Sequence, residues 1–119
     1  MKLIEVILTQ KDCPHIDITK EYDDISIFIF NTVSVNGYEK LFSIFYSNNK
    51  DTLDMALNKF NSNKKVENFH IISKKNNLAA LTYYILKTSA YKKIESVGFR
   101  VHPITIHGGI EKWFFLDES

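Results

Sequence analysis

The chain has 119 residues, of which 45% are hydrophobic and 24% are charged, and its formal net charge is +1. These values are ordinary for one folded domain and exclude a disordered chain. A charge so close to zero gives no general attraction to nucleic acid or anionic membranes, and the single cysteine, Cys13, excludes an internal disulfide.

The first half of the chain predicts three strands and a helix. Residues 2–9 alternate between apolar and polar, as in a half-buried strand, and the polar segment 10–24 is predicted to be a loop with at most one irregular turn. Asn36-Gly37 predicts a hairpin between strands at 25–35 and 40–46. The apolar spacing of residues 52–61 predicts a helix capped by Asp51.

The second half predicts four strands and a second helix. Strands are expected at 66–73 and 78–86, joined by a polar turn. A helix at 90–97 is expected to be capped by Thr88 or Ser89 and to end at Gly98. A strand at 99–106, marked by Pro103 as an edge or bulge, turns at residues 107–109 into a last strand at 110–116.

The predicted fold is α+β, with a mostly antiparallel sheet and two short helices on one face. Residues from about 40 to 106 follow the β-α-β-β-α-β order of a ferredoxin-like core, and extra strands flank it at both ends. Apolar runs such as residues 25–30 indicate that both sheet faces are covered. The cover could be a partner subunit, another segment or domain, or the extra strands themselves. We expect one sensing or dimerisation domain over residues 1–119.

No apolar stretch approaches the length that spans a bilayer, and the N-terminus lacks a signal-peptide pattern. We therefore expect a cytoplasmic protein that does not contact membranes.

Cys13 and the histidines are the first candidates for chemistry. A reactive cysteine needs a lowered pKa, and the sequence around Cys13 and His15 matches no nucleophile signature. Zinc would accept Cys13, His15, His102 and His107 only if the two pairs met in space. Packed or hydrogen-bonded side chains are the favoured interpretation, so we predict no metal, no cofactor and no enzymatic activity.

The glycine pair and the lysine pairs carry weak signals. Gly108-Gly109 precedes a strand, not a helix, and therefore indicates a hairpin turn instead of a phosphate-binding loop. The lysine pairs at 74–75 and 92–93 do not alternate with aromatic residues, so they indicate a solvated surface and no direct contact with nucleic acid.

Trp113 is the strongest candidate for ligand binding. On a strand it shares a face with Glu111 and Phe115, where it either packs in the core or forms an aromatic wall beside an acidic group. The predicted ligand-binding residues are Cys13, His15, His102, Glu111 and Trp113.

Several short motifs also resemble a known family. They are Asp12-Cys13-Pro14, Gly98-Phe99, Pro103-Ile104 and Gly109-Ile110-Glu111-Lys112-Trp113. In these the chain resembles the N-terminal domain of archaeal regulators similar to the bacterio-opsin activator. The resemblance implies transcription regulation by a homodimer or through a small-molecule effector, with DNA bound only by a C-terminal helix-turn-helix domain that is not in this chain. The alternative is a stand-alone ferredoxin-like protein that binds a small molecule, or a small enzyme that uses Cys13 or a histidine.

Overall fold

A computed structural model describes residues 1–86, 89–94 and 96–118. The described elements are three helices and eight strands: β1 (Lys2–Leu8), α1 (Pro14–Glu21), β2 (Ser26–Val35), β3 (Tyr38–Tyr46), α2 (Lys50–Asn61), β4 (Val66–Lys75), β5 (Leu78–Leu86), α3 (Ser89–Ile94), β6 (Phe99–Arg100), β7 (Ile104–His107) and β8 (Ile110–Asp117). The predicted α+β class is confirmed.

The strands form one sheet in the order β1-β8-β7-β2-β3-β5-β4, and the short β6 pairs with β8 beside this path. Every pairing recorded for the described strands is antiparallel. β1 lies against β8, with Val6 opposite Trp113. The mostly antiparallel sheet predicted from the sequence is therefore confirmed.

Two predicted hairpin turns are confirmed. Asn36 and Gly37 have φ angles of 50° and 84°, and Gly108 and Gly109 have φ angles of 57° and 77°. Two successive residues with positive φ form the tight turn whose twist matches antiparallel strands. These turns fix the registers of the β2-β3 and β7-β8 pairs.

The β-α-β-β-α-β element order is present, but the strand pairing differs from that of a ferredoxin-like unit, because an additional strand, β2, lies between β3 and β7. β5 lies between β3 and β4, as in the first half of that fold. The place beside β3 is taken by β2, because the tight hairpin turn pairs β2 along nearly all of β3. β7 pairs instead with the other edge of β2, over residues 26–29.

α2 forms where it was expected, but its cap differs. Its buried residues are the predicted apolar stripe of Leu53, Ala56, Leu57 and Phe60. The N-cap is Asn49 and not Asp51, because the Asn49 side-chain oxygen accepts the backbone N–H groups of Asp51 and Thr52 at 2.9 and 3.2 Å.

α1 corrects the prediction of a loop over residues 10–24. Pro14 occupies its first turn, where a fixed φ is favourable and a missing N–H costs nothing. The Thr19 hydroxyl donates to a backbone oxygen within the helix and accepts the backbone N–H of Gly109 at 3.0 Å. A helix of eight residues is marginal alone, so contacts of this kind to the sheet stabilise it.

The segment after β5 differs in its boundaries from the prediction. Thr88, one of the two predicted caps, lies outside the described residues, and α3 ends at Ile94 instead of Val97. The predicted strand at 99–106 is divided into β6 and β7, and Pro103 lies in the gap. Proline has no N–H to donate to a ladder, which explains the interruption.

The two faces of the sheet are unequal. α1 and α2 contact each other and the same face, and Tyr91 of α3 contacts Trp113 on that face. On the opposite face, named here the open face, Phe28, Phe42 and Tyr84 remain partly exposed. β1 and β8 extend the sheet at its edge and do not fold over this face. The prediction that the terminal strands cover the open face is therefore wrong.

Candidate functional site

A cavity of about 240 Å³ lies on the helix-covered face, beside the N-terminal end of α1. Ile29, Leu41 and Ile85 come from three neighbouring strands and form an apolar part of its wall. One molecule of liquid water takes about 30 Å³, so the cavity has the volume of about eight waters and suits a small molecule. Apolar walls with a few fixed polar groups are the usual composition of a small-molecule site.

A buried chain of hydrogen bonds supports the cavity from behind. The Nε2 atom of His15 is 2.7 Å from the Tyr83 hydroxyl, which is also 2.7 Å from the Ser43 hydroxyl. All three residues are buried. Because no charge compensates the burial, the pKa of His15 is lowered to about 3, so its ring is neutral. Burial also raises the pKa of Tyr83, so its hydroxyl keeps its proton.

Cys13 lines the cavity as a thiol. It is the N-cap residue of α1, and its Sγ atom is 4.0 Å from Nδ1 of His15. The pKa of Cys13 is raised to about 12, mainly by burial and in part by the nearby Glu111, while backbone hydrogen bonds oppose the shift. The thiolate is the nucleophilic form, so this environment does not activate Cys13.

Glu111 supplies a buried carboxylate to the cavity wall. It is 4% exposed, and its Oε1 atom accepts the Trp113 indole N–H at 2.6 Å. Burial raises the pKa of Glu111, while hydrogen bonds from Trp113 and from the Gln10 side chain oppose that shift. The Tyr91 ring packs edge-on against Trp113 at 5.2 Å, so α3 and β8 together fix this side of the wall.

Glu39 supplies a second buried carboxylate, from β3. It is 3% exposed and accepts a hydrogen bond from the Ser34 hydroxyl at 2.7 Å across the β2-β3 hairpin. Glu39 and Glu111 reach the same cavity from strands that are separated by β7 and β2. The wall is therefore acidic at two separate points.

Lys65 and Asp12 lie at the exposed rim of the cavity. The Lys65 Nζ atom donates to the backbone oxygen of Asp12 at 2.6 Å. This hydrogen bond joins the loop between α2 and β4 to the segment that precedes α1, so it holds the rim of the cavity in place.

The family model described as HVO_2525_N, N-terminal, matches residues 3–119. The chain belongs to this HVO_2525_N family. The family is of an archaeal type, as the resemblance in the sequence implied. The match does not itself link the family to bacterio-opsin-activator regulators. Neither the curated proteins nor the solved structures contain a significant match to the chain.

In this HVO_2525_N domain, the structure brings together four of the five residues predicted to bind a ligand. Cys13, His15 and Glu111 line the cavity, and Trp113 lies behind Glu111 as its hydrogen-bond donor. Trp113 is 2% exposed. Of its two predicted alternatives, the structure shows core packing, since Trp113 does not line the cavity.

His102 does not join this site. It is exposed, its ring packs edge-on against Phe114 at 4.9 Å, and its Nδ1 atom lies 2.9 Å from the Pro103 oxygen. Phe114 alternates with the inward-facing Trp113, so His102 lies on the side of the open face. The Cys13–His15 pair and the His102–His107 pair thus do not meet. Within the described residues, no three His, Cys, Asp or Glu side chains cluster in a way that could hold a metal ion.

Sequence reasoning missed Glu39, Tyr83 and Ser43. Glu39 had a readable signal, because the alternation along β3 places it on the same face as Leu41, Ser43 and Phe45. A glutamate at an inward position of an apolar strand indicates a paired or functional carboxylate. Tyr83 and Ser43 had no such signal, since the hydrogen bonds of the Tyr83 hydroxyl with His15 and with Ser43 join residues that are distant in the chain.

Residues 1–86, 89–94 and 96–118 contain no helix with the length and apolar composition needed to cross a membrane.

Proposed function

We propose that this chain is the effector-binding domain of a transcriptional regulator and that the effector is a small molecule held in the cavity beside α1. The observation that carries this proposal is the composition of the cavity wall. Apolar residues from three strands stand beside buried carboxylates whose orientations are fixed by Ser34 and Trp113. A wall already held in place lowers the cost of ordering on binding.

The regulatory part of the proposal is supported by the motifs that resemble bacterio-opsin-activator-like regulators. Two of these motifs lie at the cavity. Cys13 and Pro14 line the cavity at the start of α1, and Glu111 lines another side, where it accepts the indole N–H of Trp113. The family match is described as an N-terminal domain, which agrees with a sensing unit that precedes another domain. In this proposal, DNA is bound by a helix-turn-helix outside the chain.

The geometry gives less support to the alternative of a small enzyme. A nucleophile and its base need hydrogen-bonding contact and suitable protonation. Here the thiol of Cys13 is held protonated and lies 4.0 Å from His15, whose ring is bonded to Tyr83. The same groups suit a wall that recognises a ligand.

A thermal-shift screen of small metabolites tests effector binding. A compound that binds the native state raises the apparent melting temperature, by an amount that grows with its concentration. In the variant Leu41→Phe, the added ring volume enters the cavity, so we expect the shift to be lost. The matched control is Ile44→Phe, which adds similar volume on the open face of the same strand and should keep the shift. An equal shift in both variants would place the binding elsewhere and contradict the proposal.

DNA regulation is tested on the product of the complete reading frame. We expect that frame to encode a helix-turn-helix after Ser119 and the effector to change the DNA affinity of the product several-fold in a mobility-shift titration. A reading frame that ends at Ser119, or a DNA affinity that the effector leaves unchanged, would contradict the regulatory part while leaving ligand binding intact.

Homodimerisation is the second candidate function, and the open face favours it. Phe30 is 46% exposed and its ring lies 6.2 Å from that of Phe42, which is also partly exposed. Exposed apolar patches of this kind commonly mark interaction surfaces. We expect the wild-type chain to sediment as a dimer and Phe30→Lys to sediment as a monomer. A wild-type chain that stays monomeric at high concentration would exclude this function.

A further inference from the structure

A shallow groove lies between the bulge of β2 and the segment that runs from β6 toward β7. Its described lining residues are Phe30, Phe99, Arg100, Val101, His102 and Pro103, and its volume is about 430 Å³. We propose that this groove binds a small organic anion, a carboxylate on an aromatic or other apolar body, through the guanidinium group of Arg100. The groove shares no described lining residue with the cavity beside α1, so the inference does not depend on the proposed effector site.

Arg100 lacks a partner that suits its charge. Its Nη2 atom donates to the Phe30 backbone oxygen at 3.5 Å, which is longer than the usual range of about 2.7–3.2 Å. Its Nη1 atom is buried and has no hydrogen-bond partner among the residues that the structure describes. The recorded salt bridges of these residues join lysines to acids and leave the guanidinium out. An unsatisfied buried donor is costly, so an acceptor that reaches this group stabilises it.

The described wall of the groove is positive. Arg100 is charged at any pH at which the protein is folded, and no aspartate or glutamate is among the described lining residues. His102, which the cavity beside α1 leaves out, lines this groove instead, and its ring is held by contacts with Phe114 and the Pro103 oxygen. An anion that enters the groove therefore meets an unpaired cation without a competing acid in the described wall.

The residue type points to a carboxylate. Arg100 is the only arginine in a chain with 15 lysine and arginine residues. A guanidinium is a planar fork that binds both oxygens of a carboxylate, whereas a lysine ammonium acts as a point charge. Because the Arg100 side chain is only partly buried, it can turn this fork toward the groove and exchange the long bond to Phe30 for two charge-assisted bonds. One guanidinium balances one negative charge, so a carboxylate fits better than a doubly charged phosphate.

The rest of the wall suits an apolar body. Phe30, Phe99 and Val101 are 46%, 66% and 43% exposed, so a ligand that covers them removes apolar surface from water. A volume of about 430 Å³ lies within the range of about 300–1,000 Å³ that is usual for small-molecule sites. A stable protein–protein contact takes about 20–30 residues on each side, many more than line this groove. The ligand is therefore a small molecule.

Phenylacetate, 2-phenylethanol and acetate separate the charge of the ligand from its apolar body. Since the chain has a single arginine, the side-chain Nε–H signal of Arg100 is unique in NMR spectra. We expect millimolar phenylacetate to shift this signal in a saturable way. 2-Phenylethanol lacks the charge and acetate lacks the ring, so each should bind at least tenfold more weakly. Phenyl phosphate is the fourth probe, and tighter binding of it than of phenylacetate would overturn the assignment to a carboxylate.

Two variants of Arg100 test the contact, with affinities measured by calorimetry. Arg100→Lys keeps the charge and removes the fork, and Arg100→Gln removes both, so each should lower the affinity for phenylacetate at least tenfold. The matched control is Lys112→Gln, which removes an exposed cation of β8 outside the groove and should keep the wild-type affinity. Phe99→Ala changes an exposed side chain and does not depend on how well the Arg100 variants fold. It should weaken phenylacetate binding several-fold and leave acetate binding unchanged.

The remaining outcomes decide where the anion binds. Leu41→Phe, which fills the cavity beside α1, should keep the wild-type affinity for phenylacetate. If Leu41→Phe loses this binding and Arg100→Gln keeps it, the anion occupies the cavity, and the inference is overturned while the proposed effector site gains support. The absence of a saturable phenylacetate shift also overturns it. An Arg100 signal that follows protein concentration and not phenylacetate would assign the groove to a second copy of the chain, with the same consequence.

Discussion

The helix-covered face and the open face of the sheet both carry aromatic side chains, but they use them differently. On the helix-covered face, Phe45, Phe60 and Tyr83 are at most 1% exposed and contact one another edge-on. On the open face, Phe30 and Phe42 contact each other at the surface. The first face is completed by the chain's own helices and retains a cavity with buried polar groups, whereas the second has no described helix over it. This contrast teaches that one sheet can separate a face that encloses a cavity from a face that leaves aromatic side chains at the surface.

Phe60 offers the largest test of this contrast. Its ring contacts those of His15, Phe45, Phe69 and Tyr83, and it is 1% exposed. Phe60→Ala should lower the free energy of unfolding by about 3–5 kcal/mol, because it leaves a cavity in a packed core. The matched Phe30→Ala on the open face should cost about 1 kcal/mol or less. Urea denaturation of both variants measures this, and similar losses would contradict the contrast.

Tyr83 tests whether the hydrogen-bonded chain contributes to stability. Tyr83→Phe removes the hydroxyl that contacts both His15 and Ser43, so two buried polar groups lose a partner. Leaving one buried polar group without a partner costs about 1–3 kcal/mol, so we expect the free energy of unfolding to fall by an amount in the upper half of that range. Tyr46→Phe is the control, since its hydroxyl donates to Asn48 at the exposed surface, and it should cost less than about 0.5 kcal/mol. Equal losses in Tyr83→Phe and Tyr46→Phe would mean that the buried hydrogen bonds of Tyr83 do not contribute to stability.

His15 makes stability depend on pH. Its pKa in the native state is about 3, below its ordinary value of 6.5, because the ring is buried. Below pH 6.5 the unfolded chain therefore binds a proton that the native chain does not, and stability falls as the pH falls toward 3. Between pH 7 and pH 5 this amounts to about 2 kcal/mol, at 1.36 kcal/mol per pKa unit.

The measurement is the free energy of unfolding at several pH values in that window. His15→Gln should remove this part of the pH dependence, and the comparison with wild type cancels the opposite effect of Glu111, whose pKa is raised. His102→Gln, at an exposed position, should keep the wild-type pH dependence. An unchanged dependence in His15→Gln would show that the histidine is charged or solvated in the native state.

The sequence predicted most of the sheet because its signals are local. Asn36-Gly37 and Gly108-Gly109 permit the positive φ angles that their turns require, and the apolar spacing of α2 is clear without knowledge of its neighbours. α1 was missed because its N-cap, Cys13, makes no side-chain capping bond and its first turn begins with proline. Its stability comes from tertiary contacts, such as that of Thr19 with Gly109, which lie 90 positions apart.

The candidate site was predictable only in part, for the same physical reason. Glu111 and Trp113 are two positions apart on one strand, so their shared face could be read from the alternation. The convergence of Cys13 and His15 with Glu111 depends on where α1 packs, which local patterns do not encode. His102 was misplaced because β7 and β6 are separated around Pro103, so a single strand register from 99 to 106 did not apply.

Lys40 gives the smallest expected effect and the sharpest test of whether the open face is free in solution. Its Nζ atom lies 5.9 Å from the centre of the Tyr84 ring on that face. If the face is solvated, Lys40→Gln should change the free energy of unfolding by about 0.5–1 kcal/mol at most, as for an exposed cation–π contact. If the face is buried between two copies of the chain, the contact is desolvated and the loss should be larger. The loss should then also depend on protein concentration, because dissociation is linked to unfolding.

Chemical denaturation of Lys40→Gln at two concentrations a hundredfold apart distinguishes these cases. A small loss that is independent of concentration would leave the cavity, and not the open face, as the functional surface of the domain.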